Sequence, residues 1–159
     1  MSSPESEAPR IPSLGQIGLQ EFDPYLLNRV SARWNADMGE VLREHGLSTV
    51  RMRVLAVLAV TPRLSIAELA VFAVTEQSTL SRNLDAMEEG GLVCRTVREN
   101  DARAREIAIT EAGRDLFDAV WPRMHALHER MFRGIDPDEH RRFTDTLRKV
   151  LRNVRVHDV

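Results

Sequence analysis

Residues 75–109 read TEQSTLSRNLDAMEEGGLVCRTVRENDARAREIAI, and the fold is decided there. Leu80, Leu84 and Met87 recur at three- and four-residue steps, which places them on one face of a helix, with Ser78, Ser81, Arg82 and Asp85 on the other. Thr75 is expected to cap this helix and Gly90-Gly91 to end it. Beyond the glycines, residues 92–97 and 105–109 are rich in β-branched side chains, alternate in facing and flank a charged stretch at 98–104. This predicts a β-hairpin with a longish loop that gathers Arg98, Arg103 and Arg105. Asp101 stands two residues before Arg103, where its carboxylate can brace the guanidinium or where Asn100-Asp101 can simply supply turn chemistry.

Just upstream, Ser65 with Glu68 three residues on is a capping-box signature for a brief helix containing Ile66, Leu69 and Ala70. Two short helices joined by a tight turn, the second exposing Gln77, Ser78, Thr79, Ser81 and Arg82, have the form needed to enter a DNA major groove. Those amide, hydroxyl and guanidinium groups can hydrogen-bond base edges or phosphates. The same residue types also make an ordinary solvated helix face. A basic hairpin directly after the helix pair favours the DNA reading, because helix and hairpin would share one surface.

Working outward, Asp23-Pro24 starts a first long helix, with Leu27, Val30, Trp34, Met38 and Val41 as its stripe and an end near His45-Gly46. Ser48 caps a second helix carrying Val50, Val54, Val57 and Leu58, which Pro62 closes. After the hairpin, Thr110 caps a long fifth helix with Leu116, Val120, Met124, Leu127 and Met131, in which Pro122 is expected to produce a bend. Asp136, Pro137 and Glu139 start a sixth with Phe143, Leu147, Val150, Leu151 and Val154. The first, fifth and sixth helices carry more apolar stripe than one small domain can cover, which points to a homodimer. Residues 1–20, with Pro4, Pro9, Pro12, Gly15 and Gly18, read as a flexible tail leading into an apolar arm.

Composition bounds the remaining possibilities. The 159 residues are 43% hydrophobic and 29% charged, a soluble globular make-up, and no apolar run approaches the ~20 residues that cross a bilayer. Met1 to Arg10 lacks the cationic start and apolar stretch of a secretory signal, so a cytoplasmic protein without membrane association is expected. The single cysteine, Cys94, excludes an intrachain disulfide and a cysteine-based zinc cluster. A net charge of −2 means that any DNA site must be a local patch. All basic residues except Lys149 are arginine, whose rigid fork suits phosphate and guanine.

Several short motifs in order then carry a resemblance. They are Gly46-Leu47-Ser48, Ser78-Thr79-Leu80-Ser81-Arg82 with Leu84-Asp85, Glu89-Gly90-Gly91-Leu92-Val93, Asp101-Ala102-Arg103, and Ile109-Thr110-Glu111-Ala112-Gly113. Over roughly residues 22–155 the chain resembles the multiple-antibiotic-resistance regulator (MarR) family of winged-helix repressors. The resemblance implies a mainly α fold with a small β-hairpin: a winged helix-turn-helix at about 48–109 and dimerisation helices at about 22–45 and 110–156, within one domain spanning 21–159. It further implies a ligand-responsive homodimer on an inverted-repeat operator in double-stranded DNA. Ser78, Thr79 and Arg82 would take the recognition role, and Arg103, ordered by Asp101, the wing role. Glu76, Asp85, Glu88 and Glu89 make the recognition helix more acidic than that role favours. A small-molecule effector is a family-level expectation, and Trp34, Met38, Arg51 and Met52 are its candidate lining from helix position, although residues such as Trp34 and Met38 are more often simply core.

Other classes find less in the sequence. His125 and His128 stand one turn apart beside Glu129, but without a clear third and fourth ligand no metal or other cofactor is expected. Redox sensing by Cys94 is an alternative, weakened because Cys94 shares strand parity with Leu92 and is expected to be buried. No glycine-rich phosphate loop, Gly-x-Ser-x-Gly elbow or catalytic metal motif is present, so no catalytic residue is assigned. A winged-helix module that binds protein instead of DNA stays open through the acidity of the fourth helix.

Overall fold

A computed structural model describes residues 11–98 and 101–157; for Arg98 and residues 101–104 the description is of the backbone only. The chain divides into two compact units, Met1–Ala36 and Asp37–Val159. In the first, Ser13 and Gln16 form a reciprocal capping box on a one-turn helix at Leu14–Ile17, a 3₁₀ turn follows at Leu19–Glu21, and α1 begins at Asp23. The part of the expected arm from Leu14 to Glu21 is thus mostly helical turn. Leu26, Leu27 and Val30 on α1 are exposed.

The second unit takes up α1 (Asp23–Arg43) at Asp37 and continues with α2 (Thr49–Val60), β1 (Leu64–Ser65), α3 (Ile66–Phe72) and α4 (Gln77–Glu89). Then come β2 (Val93–Arg98), β3 (Asp101–Ile109), α5 (Glu111–Met131) and α6 (Pro137–Val154). The predicted caps form at four starts: Ser48 accepts from the Arg51 N–H, Ser65 and Glu68 make the capping box, Thr110 accepts from Gly113, and Asp136 from Asp138 and Glu139. Met38, Val41, Leu42, Met52, Val54, Leu55, Leu58, Leu69, Leu80, Leu84, Met87, Ile107 and Val120 are buried, so the core lies around α2 and beneath α4. Each such side chain contributes roughly 1.5–3 kcal/mol.

The sheet has one strand more than the sequence predicts and a shorter connection. β1 pairs antiparallel with β3, Leu64 opposite Ile107, giving the order β1-β3-β2. Two residues after a proline carry no period to read, so this strand was not visible in the pattern. β3 begins at Asp101, inside the stretch expected as loop; the register steps from Val97 opposite Arg105 to Arg98 opposite Asp101. A bulge therefore absorbs 102–104, and such a bulge twists the hairpin and re-aims its tip. Val93, not Cys94, faces the core: Val93 is 2% exposed and Cys94 half-buried, a shift of one in the expected parity.

A second correction concerns the start of α4, where Glu76, not Thr75, is the N-cap, and its side chain makes no capping bond. Thr75 is engaged with the preceding helix: its N–H donates to the Ala70 carbonyl at 3.1 Å while Val74 N–H donates to Val71 at 3.1 Å. This is the Schellman pattern, and it puts Val74 in the left-handed region at φ 52°. A β-branched residue there costs about 1–2 kcal/mol, against about 0.5–1 for glycine's extra chain entropy. Val74 is also 74% exposed, so it has little packing to lose. Val74→Gly is expected to raise stability by about 0.5–1 kcal/mol, seen as a melting temperature higher by about 2–3 °C; a lower one would contradict the turn described.

Candidate nucleic-acid interface

The helix pair α3–α4 is held from four sides, which fixes what α4 presents outward. Underneath, Leu80, Leu84 and Met87 are fully buried. From α2, the Arg53 guanidinium donates to the Ala73 carbonyl at the end of α3, and Arg51 Nε donates to Asn83 Oδ1, both at 3.4 Å. Asn83 in turn donates to the Thr79 carbonyl at 2.9 Å. At the far end a second Schellman turn, with Gly91 at φ 70°, turns the chain into β2.

The junction with α5 closes the frame. Thr110 N–H donates to the Leu92 carbonyl at 3.1 Å, and Thr110 Oγ1 donates to the Gly91 carbonyl at 2.6 Å while accepting from Gly113 N–H at 3.0 Å. One hydroxyl thereby ties the start of the long helix α5 to the turn that ends α4. Gly113 packs so closely that a Cβ there would overlap the Leu92 carbonyl oxygen and lie 2.9 Å from Ile109 Cγ1.

What remains outward on α4 is Gln77, Ser78 and Arg82, all exposed, with Thr79 and Ser81 half-buried. Arg82 Nε also donates to the Ser78 carbonyl at 3.4 Å. Arg105 is exposed on β3. Arg98, Arg103 and the bracing Asp101, expected at the wing tip, have side chains outside the described residues.

Half of the helix's troublesome acidity is answered by a residue not singled out in the sequence. Arg95 on β2 pairs with Asp85 at 2.5 Å and with Glu88, and its backbone N–H donates to Glu88 Oε1 at 3.1 Å. The hydrogen bond to Asp85, ahead of the pull of Glu88 and against partial burial, holds the Arg95 pKa above its ordinary value. The pairing leaves Glu76 and Glu89 as the carboxylates of this segment that Arg95 does not engage. Arg95 could have been noticed: it is the first cation in the strand that follows an acidic helix end. Asn83 and Gly113 give no such signal, since their roles come from tertiary approach.

The other candidates fall apart from this surface. Met38 and Met52 are core residues at 4% and 1% exposure, Arg51 is committed to Asn83, and Trp34 belongs to the N-terminal unit. His125 and His128 have ring centroids 6.1 Å apart and His128 is 5.5 Å from His140, yet no metal-binding group of three forms among the described residues. These rings instead extend an aromatic row with Trp121, Phe132 and Phe143.

A sequence profile of the MarR family matches residues 45–104. The chain is 46% identical to a transcriptional regulator of that family from Silicibacter pomeroyi, whose crystal structure superposes with a TM-score of 0.88 over 93% of this chain and all of that one. It is also similar to the HTH-type transcriptional repressor IacR of Pseudomonas putida, at 28% identity over 90% of this chain and 86% of IacR. CouR of Rhodococcus jostii, solved with p-coumaroyl-CoA bound, is 28% identical with a TM-score of 0.75 over 88% of this chain and 99% of its own.

Proposed function

Because the chain belongs to the MarR family of transcriptional regulators, we propose that it is a homodimeric, ligand-responsive repressor that binds an inverted-repeat DNA operator in the cytoplasm. One observation carries this reading: α4 turns Gln77, Ser78 and Arg82 to solvent on a rigid frame while Arg95 occupies Asp85 and Glu88. That arrangement leaves a polar edge able to meet bases and phosphates. Thr79, Ser81 and Arg105 flank it, and Arg98 and Arg103, ordered by Asp101, are assigned to the adjacent minor groove.

What α5 and α6 leave bare supports the dimer. Trp121, Met131, Phe143, Val150, Leu151 and Val154 are each more than 40% exposed, and α6 has no buried residue. Small-molecule control is inferred from the likeness to CouR. Arg51 is the residue suited to transmit it, since moving its guanidinium breaks the bond to Asn83 on α4; Met38 and Met52 remain the proposed apolar lining. No described helix is long and apolar enough to cross a membrane.

Selection of bound sequences from a random DNA pool tests the proposal. Two recognition helices related by a twofold axis can enter successive major grooves only about 34 Å, or ~10 base pairs, apart. The enriched sites are expected to be imperfect inverted repeats with that spacing, with adenine or guanine where Gln77 or Arg82 reach base edges and A·T pairs under the wings. Direct repeats would contradict the twofold dimer. Absence of enrichment would overturn the DNA reading in favour of a protein-binding module.

A further inference from the structure

We propose that the end of α6 is a second DNA-backbone contact, in which Arg152 and Arg155, with Lys149 beside them, meet the phosphates flanking the start of α4. The inference rests on the reading of α4 as the DNA-recognition helix and extends the binding surface to a part of the chain otherwise assigned to dimerisation.

The charge pattern along α6 is the first support. Its carboxylates come early: Asp136 caps the helix, Asp138 pairs with Arg141, and Asp145 pairs with Arg148 at 2.9 Å. From Thr146 to His157 no acidic residue occurs, while Arg148, Lys149, Arg152 and Arg155 do. Lys149, Arg152 and Arg155 are exposed and form no ion pair among the described residues. A cation in a helix's last turn is ordinary, because it complements the carbonyl end of the macrodipole; this accounts for Arg152 but not for the whole run. In a chain of net charge −2, such a local concentration of unpaired cations is a footprint for a polyanion.

Position is the second, independent support. Val156 and His157, which directly follow Arg155, line an open groove with Glu68, Val71, Val74, Thr75, Glu76 and Gln77, so the cations next to them in the chain also offset two carboxylates at that end. Gln77 is the first residue of α4, the end that leads into a major groove in this architecture. The phosphates bordering that groove pass beside the same end, so cations there neutralise DNA charge without reading bases. The apolar stripe Phe143, Leu147, Val150, Leu151 and Val154 lies on the face of α6 opposite Lys149 and Arg152, and Arg155 is the extended C-cap beyond it, so both faces act at once. A duplex is favoured over a small anionic ligand because the cations are spread along two helical turns and are not gathered into a pocket.

The test compares the full-length parent with Arg152→Gln/Arg155→Gln and with Arg141→Gln/Arg142→Gln, which removes the same charge at the start of α6. Affinity for one operator fragment is measured across salt. Each lost phosphate contact should flatten the log–log salt slope by about 0.9, and a dimer that loses two per subunit should weaken roughly tenfold or more at moderate salt. The first pair is expected to do this with unchanged sequence preference, Arg152→Lys/Arg155→Lys to retain the parent slope, and the Arg141/Arg142 pair to stay near it. Equal effects of both glutamine pairs, or none from the first, would overturn the assignment. So would a lower mass by light scattering for the first pair, which would make these residues subunit contacts. A parent that binds no DNA would instead defeat the underlying reading of α4.

Discussion

Gly113→Ala is expected to destabilise the protein by at least about 2 kcal/mol, although alanine is the better helix former by about 1 kcal/mol. The added methyl would overlap the Leu92 carbonyl oxygen and stand 3.0 Å from the Leu92 carbonyl carbon and 2.9 Å from Ile109 Cγ1. Overpacking against flexible side chains costs about 1–3 kcal/mol, but here the main obstacle is backbone. Relief requires moving α5 away from the turn that ends α4, which also disturbs the Thr110 bond to the Gly91 carbonyl. Thermal melting should show a loss of about 5–8 °C, and operator affinity should fall with it. An alanine variant as stable as the parent would mean that this close approach does not exist.

The second large effect is expected from Leu151→Glu/Val154→Glu on the bare face of α6, where the two side chains are 62% and 67% exposed. Within one chain these positions are solvated, so circular dichroism should report an intact body, with any loss of helix confined to α6. In the proposed dimer they are buried, and charge there removes apolar contact and leaves unpaired carboxylates. With at least ~2 kcal/mol lost per hot-spot residue, the dimer dissociation constant should rise by well over a hundredfold and operator binding should drop to that of single half-sites. Light scattering and a binding titration read both. A dimer of unchanged stability would relocate the interface.

Much of this architecture was legible because its signals are local. Ser48, Ser65 with Glu68, Thr110 and Asp136 cap where hydroxyls and carboxylates before apolar stripes predict, and the Leu80, Leu84, Met87 stripe is the buried face of α4. Thr75 misled because two helices compete for it. Its N–H closes α3, and Glu76 takes the N-cap position of α4. β1 was invisible because its two residues acquire strand character only from β3. At the candidate surface, residue types marked Gln77, Ser78 and Arg82, but no periodicity shows that Arg95 would fold back over Asp85 and Glu88.

The bare state of α6 within its own chain has a further consequence. A helix of 18 residues with no fully buried side chain draws little packing from its own chain, and packing is where most helical stability comes from. A subunit alone would therefore open this segment often, and proteases act on the opened form in proportion to its population. A lone copy would be cleared faster than a paired one, and half-life would lengthen as more copies are made. The regulator's abundance would then respond to its own synthesis more steeply than in proportion, a property set by one uncovered helix instead of by any feedback on its gene.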